Sequence, residues 1–162
     1  MVLIFNVFIT REKVDFEYIR IHIRANSNQA EDQTVKYKVR NEVVKLLIPL
    51  IADCESYQDA LKMLNKNTDR IKAAADRVLR ENGFMYRATV SITLSEYPAR
   101  VYDGFVLKSG LYEAVVIGLG DAAGDNWWCV AFPPLCFIPK ESDGTDTVKY
   151  RSKILEIIRN NR

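Results

Sequence analysis

"FEYIRIHIRA", residues 16–25, alternates without a break: Tyr18, Arg20, His22 and Arg24 fall on one side, Ile19, Ile21 and Ile23 on the other. Period two with β-branched residues predicts a half-buried strand, because successive side chains of an extended chain point to opposite faces. The following "NSNQAED" supplies turn and cap chemistry. A helix is then expected over about 29–48, burying Val35, Val39, Val43, Leu46 and Leu47, with Asp32 and Lys36 as an i,i+4 pair on its outer face. Pro49 is expected to kink or end this helix, since proline lacks the amide proton and clashes with the preceding turn.

A second helix starts at Ser56 in "SYQDALKML", where Asp59 occupies the third position of a capping box. A third starts at Thr68, buries Ile71, Ala74, Ala75, Val78 and Leu79, and stops at "ENG", with Gly83 placed for a left-handed cap. In "YRATVSITL", residues 86–94, Tyr86, Ala88, Val90, Ile92 and Leu94 share one face of a strand. "YEAVVIGL" and "WWCVAF" read as inner strands, and "TVKYRSKILEIIRNN" as a closing helix. Helices come first and antiparallel-looking strands later, which predicts an α+β fold rather than a parallel βαβ sheet. Its order is an N-terminal strand, a three-helix segment, a mostly antiparallel sheet and a C-terminal helix. No linker, repeat or low-complexity segment interrupts the chain, so residues 1–162 read as one domain.

A chain of 162 residues buries roughly 70% of its unfolded surface without help from staples. Its net charge is +2, with both signs interspersed, which lacks the basic stripe that nucleic-acid binding requires. No apolar run approaches the ~20 residues of a membrane span. "MVLIFNVFIT" is apolar for nine residues but has neither a basic leader nor a small-residue cleavage site. It reads as a first strand or as the remnant of a longer export segment.

Four features invite a chemical reading. "GLGDAAG", residues 118–124, follows a strand but precedes another strand. Without a helix N-terminus to hold an anion, it reads as a hairpin loop rather than a phosphate loop. Cys54 closes an apolar run and behaves as a small buried hydrophobe. Cys129 and Cys136 have six residues between them, a spacing unlike a zinc knuckle. A disulfide formed by reversal around Pro133 and Pro134, or two free buried thiols, both satisfy it. His22 with Cys129, oriented by Asn26 or Asn126, would make a thiol–imidazole pair, against which stands the plainer reading of His22 as a polar strand residue. Finally, Trp127 and Trp128 face opposite sides of one strand: Trp128 is expected in the core with Val130 and Phe132, and Trp127 on a shallower side with Cys129 and Ala131.

Two strings carry a family resemblance. Arg20, Ala25, Asn26, Ser27, Asp32, Gln33, Lys36, Val39 and Arg40 fit an arginine strand followed by A-N-S and a D-Q-x-x-K-x-x-V-R helix. Asn126, Trp127, Trp128, Cys129, Val130, Phe132, Pro133, Pro134, Leu135 and Cys136 fit N-W-W-C-V-x-F-P-P-L-C. Over about residues 18–138 the chain resembles the stage II sporulation protein R family. Asn28 departs from it, standing where an acidic residue is common, as does a start without a recognisable export segment. The resemblance implies a non-enzymatic signal of endospore formation, exported to the space between forespore and mother-cell membranes. There it would activate a membrane-embedded aspartic protease that matures the sigma-E precursor. No cofactor, metal or nucleic acid is implied. An oxidising setting would preserve a Cys129–Cys136 bridge. The expected partner contacts are Asn126, Trp127, Pro133 and Pro134, with Asn26 and Arg40 as a second location; a small cysteine hydrolase using Cys129 and His22 is the alternative.

Overall fold

The computed structural model describes residues 18–102 and 105–134. The apolar first ten residues, Cys136 and the expected closing helix lie outside that range. The strand predicted from "IRIHIR" is present as β1 (Ile19–Arg24), and three helices follow: α1 (Ala30–Ile51), α2 (Tyr57–Lys66) and α3 (Thr68–Glu81). The later strands are β2 (Ala88–Tyr97), β3 (Arg100–Tyr102), β4 (Phe105–Leu107), β5 (Gly110–Leu119) and β6 (Asn126–Phe132).

The main sheet runs β2-β5-β1-β6, while β3 and β4 form a separate antiparallel ribbon. β2 with β5 and β1 with β6 are antiparallel, whereas β1 lies parallel to β5. The α+β expectation therefore holds, with a mixed, mostly antiparallel sheet. The central parallel pair becomes possible because the three helices intervene between β1 and the strands that follow.

The isoleucine face of β1 lies under the helices. Ile21 and Ile23 pack with Val115 and Ile117 of β5, Val39 and Leu47 of α1, Leu64 of α2, and Ile71 and Leu79 of α3, every one of them fully buried. Ala88, Val90 and Ile92 extend this face along β2, but Leu94, on the same side, is 46% exposed. It pairs with Glu113 of β5.

Local signals set most of the helix limits. Ser56 Oγ accepts from the Asp59 amide at 3.1 Å, which caps α2, and donates to the Asp59 carboxylate at 2.6 Å. α3 ends in a Schellman turn: the Phe84 amide donates to the Leu79 carbonyl and the Gly83 amide to the Arg80 carbonyl. Gly83 takes φ +81°, which an L side chain resists. Pro49 does not end the helix, since α1 runs through it to Ile51. It sits in the last turn, where only one backbone bond is forfeited, and the Ala52 amide still reaches the Ile48 carbonyl at 3.0 Å.

The opposite face of the sheet has a smaller core. Tyr97, Tyr112 and Ala114 are buried there, with Tyr18, Val116 and Trp128 packed around them. Arg20 is 0% exposed in this layer. Its Nε donates to the Cys129 carbonyl at 3.2 Å, and its guanidinium lies 4.4 Å from the Tyr97 ring centre and 5.2 Å from that of Tyr112. The carbonyl dipole and the two aromatic faces both help to make this desolvated arginine tolerable.

Because β1 is bonded on both sides and its isoleucine face lies under the helices, truncating its central isoleucine tests the whole arrangement. Ile21→Ala is expected to cost about 2–5 kcal/mol in urea unfolding, with no change of slope.

Candidate functional site

β6 lies at one end of the sheet among the described strands, and α1 passes beside it. Alternation along β6 holds, but the assignment of its faces reverses the expectation. Cys129 and Ala131 are fully buried in the helix-covered core, and Trp127 packs against that core from its margin. Trp128 belongs to the smaller core on the other face, in edge-on contact with Tyr97 at 4.9 Å and His22 at 5.7 Å. Small side chains at positions 129 and 131 are what let helices approach the sheet closely, so small size here signals depth. Phe132, expected beside Trp128, turns instead to the helix side. A β-bulge produces the switch: Arg20 pairs with Val130 but Ile19 with Phe132, leaving Ala131 as the extra residue.

At the margin of the main core, Trp127 meets α1. The Arg40 guanidinium lies 5.6 Å from the Trp127 ring centre and 5.0 Å from that of Tyr37. Tyr37 is 44% exposed, while Arg40 and Trp127 are half-buried. Arg40 also donates to Asn41 Oδ1 from both Nε and Nη2, at 3.1 and 2.9 Å, which fixes the guanidinium plane. An arginine held beside two aromatic rings at a sheet edge is the composition that dominates interface hot spots. Of the expected contact residues, the fold brings Arg40 and Trp127 together. Asn126 sits at the start of the same strand, and Pro133 and Pro134 form the half-buried turn just beyond it, with a cis Phe132–Pro133 peptide. Tyr37 was missed; its i,i+3 spacing from Arg40 was the available signal.

Asn26 has a different role. Its Nδ2 donates to Asp32 Oδ2 at 2.9 Å, and its Oδ1 accepts from the Asp121 amide at 2.9 Å. Asp32 also accepts from Ser27 Oγ at 2.6 Å and from the Tyr86 hydroxyl at 2.6 Å. Its carboxylate thus ties the β1–α1 loop, the first turn of α1 and the segment before β2 into one knot, and Asn26 links that knot to the β5–β6 turn. Gly120, at φ +58°, closes against Asn26: a Cβ there would stand 2.2 Å from Asn26 Oδ1. A Cβ on Gly124 would stand 2.3 Å from the Ser27 carbonyl oxygen. The "GLGDAAG" glycines therefore serve close loop packing, and the element that follows directly is the strand β6.

Asp32 and Lys36 are not an outer-face pair, for both are buried. Lys36 Nζ reaches Gln33 Oε1 at 2.5 Å and the Asp125 carbonyl at 3.1 Å. Burial lowers its pKa, Asp125 counteracts that, and Arg40 adds to the lowering. For Asp32, burial raises the pKa, but the hydrogen bonds from Ser27, Tyr86 and Asn26 outweigh it and leave the carboxyl below its usual range.

The thiol–imidazole alternative fails on geometry. His22 pairs with Trp128 and Ile21 with Cys129, so the imidazole and the sulfur point to opposite faces of the sheet. His22 is held toward its neutral form by burial and then by Arg24 and Arg20. Its Nδ1 has no hydrogen-bond partner among the described residues, and no group of three or more His, Cys, Asp or Glu side chains converges there.

Fold and site together define a small α+β domain with a locked loop cluster and an aromatic–arginine edge. Residues 15–142 match the model of the stage II sporulation protein R family, and the chain belongs to that family. It is 33% identical to "Stage II sporulation protein R" of Bacillus subtilis (strain 168), over 85% of this chain and 65% of that protein. The chain thus spans slightly under two thirds of its relative's length. No solved structure matches it. The membership supports a role in sporulation.

The Asp32 knot makes a pH prediction. Because the folded pKa lies below the unfolded value of 3.8, the carboxylate's stabilisation is fully present above that value and is lost as pH falls through the lower one. Asp32→Asn should melt below the parent at neutral pH, with the gap closing as the pH is taken progressively below 3.8. A constant gap across the acid range would show that ionisation of Asp32 contributes nothing.

Proposed function

We propose that this protein is a non-enzymatic signal of endospore formation that works outside the cytoplasm. In this reading it engages the extracytoplasmic face of a membrane-embedded aspartic protease, in the space between forespore and mother-cell membranes, and so triggers processing of the sigma-E precursor. Membership of the family supports the sporulation role. The observation that carries a binding role is the Arg40 guanidinium set against Tyr37 and Trp127 beside a sheet edge. No helix among the described residues is long and apolar enough to cross a membrane, which fits a ligand that meets its protease from the aqueous side.

Arg40→Ala and Tyr37→Ala separate contact from folding better than Trp127→Ala, because Trp127 also packs on the core. Both should melt within ~0.5 kcal/mol of the parent while precursor cleavage in sporulating cells falls, with a hot-spot penalty of ~2 kcal/mol or more in protease binding. Normal cleavage by both variants would move the contact surface elsewhere.

An extracytoplasmic setting also supports a Cys129–Cys136 bridge, since Cys129 is fully buried at the middle of β6 and the chain turns at Pro133 and Pro134, just past the end of that strand. Cys54 is a free thiol whose pKa is raised by burial and then by Asp59 and Asp53, so it reacts slowly in the folded state. Alkylation of the exported protein in denaturant should therefore label one cysteine without reductant and all three with it. Three labels without reductant would refute the bridge.

A further inference from the structure

The cations dispersed along the sequence are gathered by the helix packing. On α3, Arg70, Arg77 and Arg80 recur at the seven- and three-residue spacings that place them on one stripe. That stripe faces Glu42, Lys45 and Leu46 of α1 across an open cleft of about 710 Å³, with Arg87 at its far end. Five cations meet two carboxylates there, a local surplus of three that exceeds the +2 of the whole chain.

Both carboxylates are already engaged. Glu42 receives Lys45 at 2.8 Å and Arg77 at 3.0 Å, while Asp76 receives Lys72 at 2.6 Å, Arg87 at 3.8 Å and the Ala88 amide at 2.7 Å. Arg70 donates to the neutral Asn67 Oδ1 at 2.8 Å, and Arg80 has no carboxylate partner among the described residues. Leu46, Ala73 and Ala74 give the cleft a floor of short apolar side chains. The groove therefore combines unneutralised guanidinium groups, a narrow apolar floor and two wall carboxylates.

We propose that the α1–α3 cleft is a docking groove for an acidic peptide segment of a protein partner. A peptide fits this lining: its carboxylates meet Arg70 and Arg80, and its aliphatic atoms lie on Leu46 and the alanines. A flat anionic membrane does not enter a concave cleft. A nucleic-acid backbone, with a phosphate charge about every 1.7 Å of duplex axis, calls for a longer basic stripe than these five cations provide, three of them already paired with carboxylates. The groove occupies a different stripe of α1 from Tyr37 and Arg40, so it stands whether or not the protease reading does.

The test is fluorescence anisotropy with the full chain and a labelled peptide of alternating aspartate and alanine. The peptide should bind at low salt and weaken as salt rises, whereas its asparagine counterpart should not bind. The double variant Arg70→Gln/Arg80→Gln, and Arg80→Glu alone, should each lower affinity about tenfold or more, with unchanged melting. No binding at low salt, equal binding of the asparagine peptide, or unaltered affinity in both variants would overturn the proposal. So would capture of the protein by phosphatidylglycerol vesicles or duplex DNA as strongly as by the peptide, with the same sensitivity to these substitutions.

Discussion

One buried carboxylate holds the functional end of this domain together. Asp32 is 7% exposed and accepts from Asn26, Ser27 and Tyr86, three side chains on two segments. A carboxylate so placed is stabilising only while each oxygen is satisfied, and removal of one partner leaves a desolvated group uncompensated. The starting position of α1 follows from this knot. One turn further along, Lys36 reaches across to the Asp125 carbonyl just before β6, and beyond it Arg40 meets Trp127. The aromatic–arginine edge is therefore aligned by a loop that contributes no ring to it.

The two faces of β1 solve different problems. The isoleucine face contributes area to a conventional helix-covered core. The other face buries Arg20 completely and half-buries His22. A second positive charge there would meet two arginines, so the imidazole stays toward its neutral form. Arg24 is directed outward to the Gly124 carbonyl at 3.3 Å.

Much of this was legible in the residues. Period two over 18–24 marked β1, the Ser56–Asp59 spacing marked α2, and Gly83 marked the end of α3. These are local signals, decided within a few residues. What failed was tertiary. Alternation says that Trp127 and Trp128 part company, but not which face the helices cover, and a bulge at Ala131 then moves Phe132 to the other side. The parallel β1–β5 pair joins residues as far apart as Arg20 and Ala114, and no local pattern reports it. Pro49 was overrated because a proline costs little where the helix is about to stop. Of the site, the Asn26–Arg40 string was visible as a pattern, yet its division into an internal knot and an outward cation needed coordinates. The cationic cleft was invisible, since its members are scattered from Lys45 to Arg87 among acidic residues.

The position of β1 also has a kinetic side. It is the second strand from one end of the sheet, and both of its neighbours come from the far half of the chain, with Arg20 bonded to a carbonyl 109 residues later. Closing such loops costs entropy before any contact is gained, and sheets made of distant pairings form slowly. As the chain emerges from the ribosome, α1, α2 and α3 appear with only one edge of their eventual floor. The isoleucine face stays without its strand neighbours until Asn126–Phe132 has been synthesised. The domain therefore remains unfinished until synthesis is well past its midpoint, and an extended polypeptide is available to any machinery that must handle it in that form.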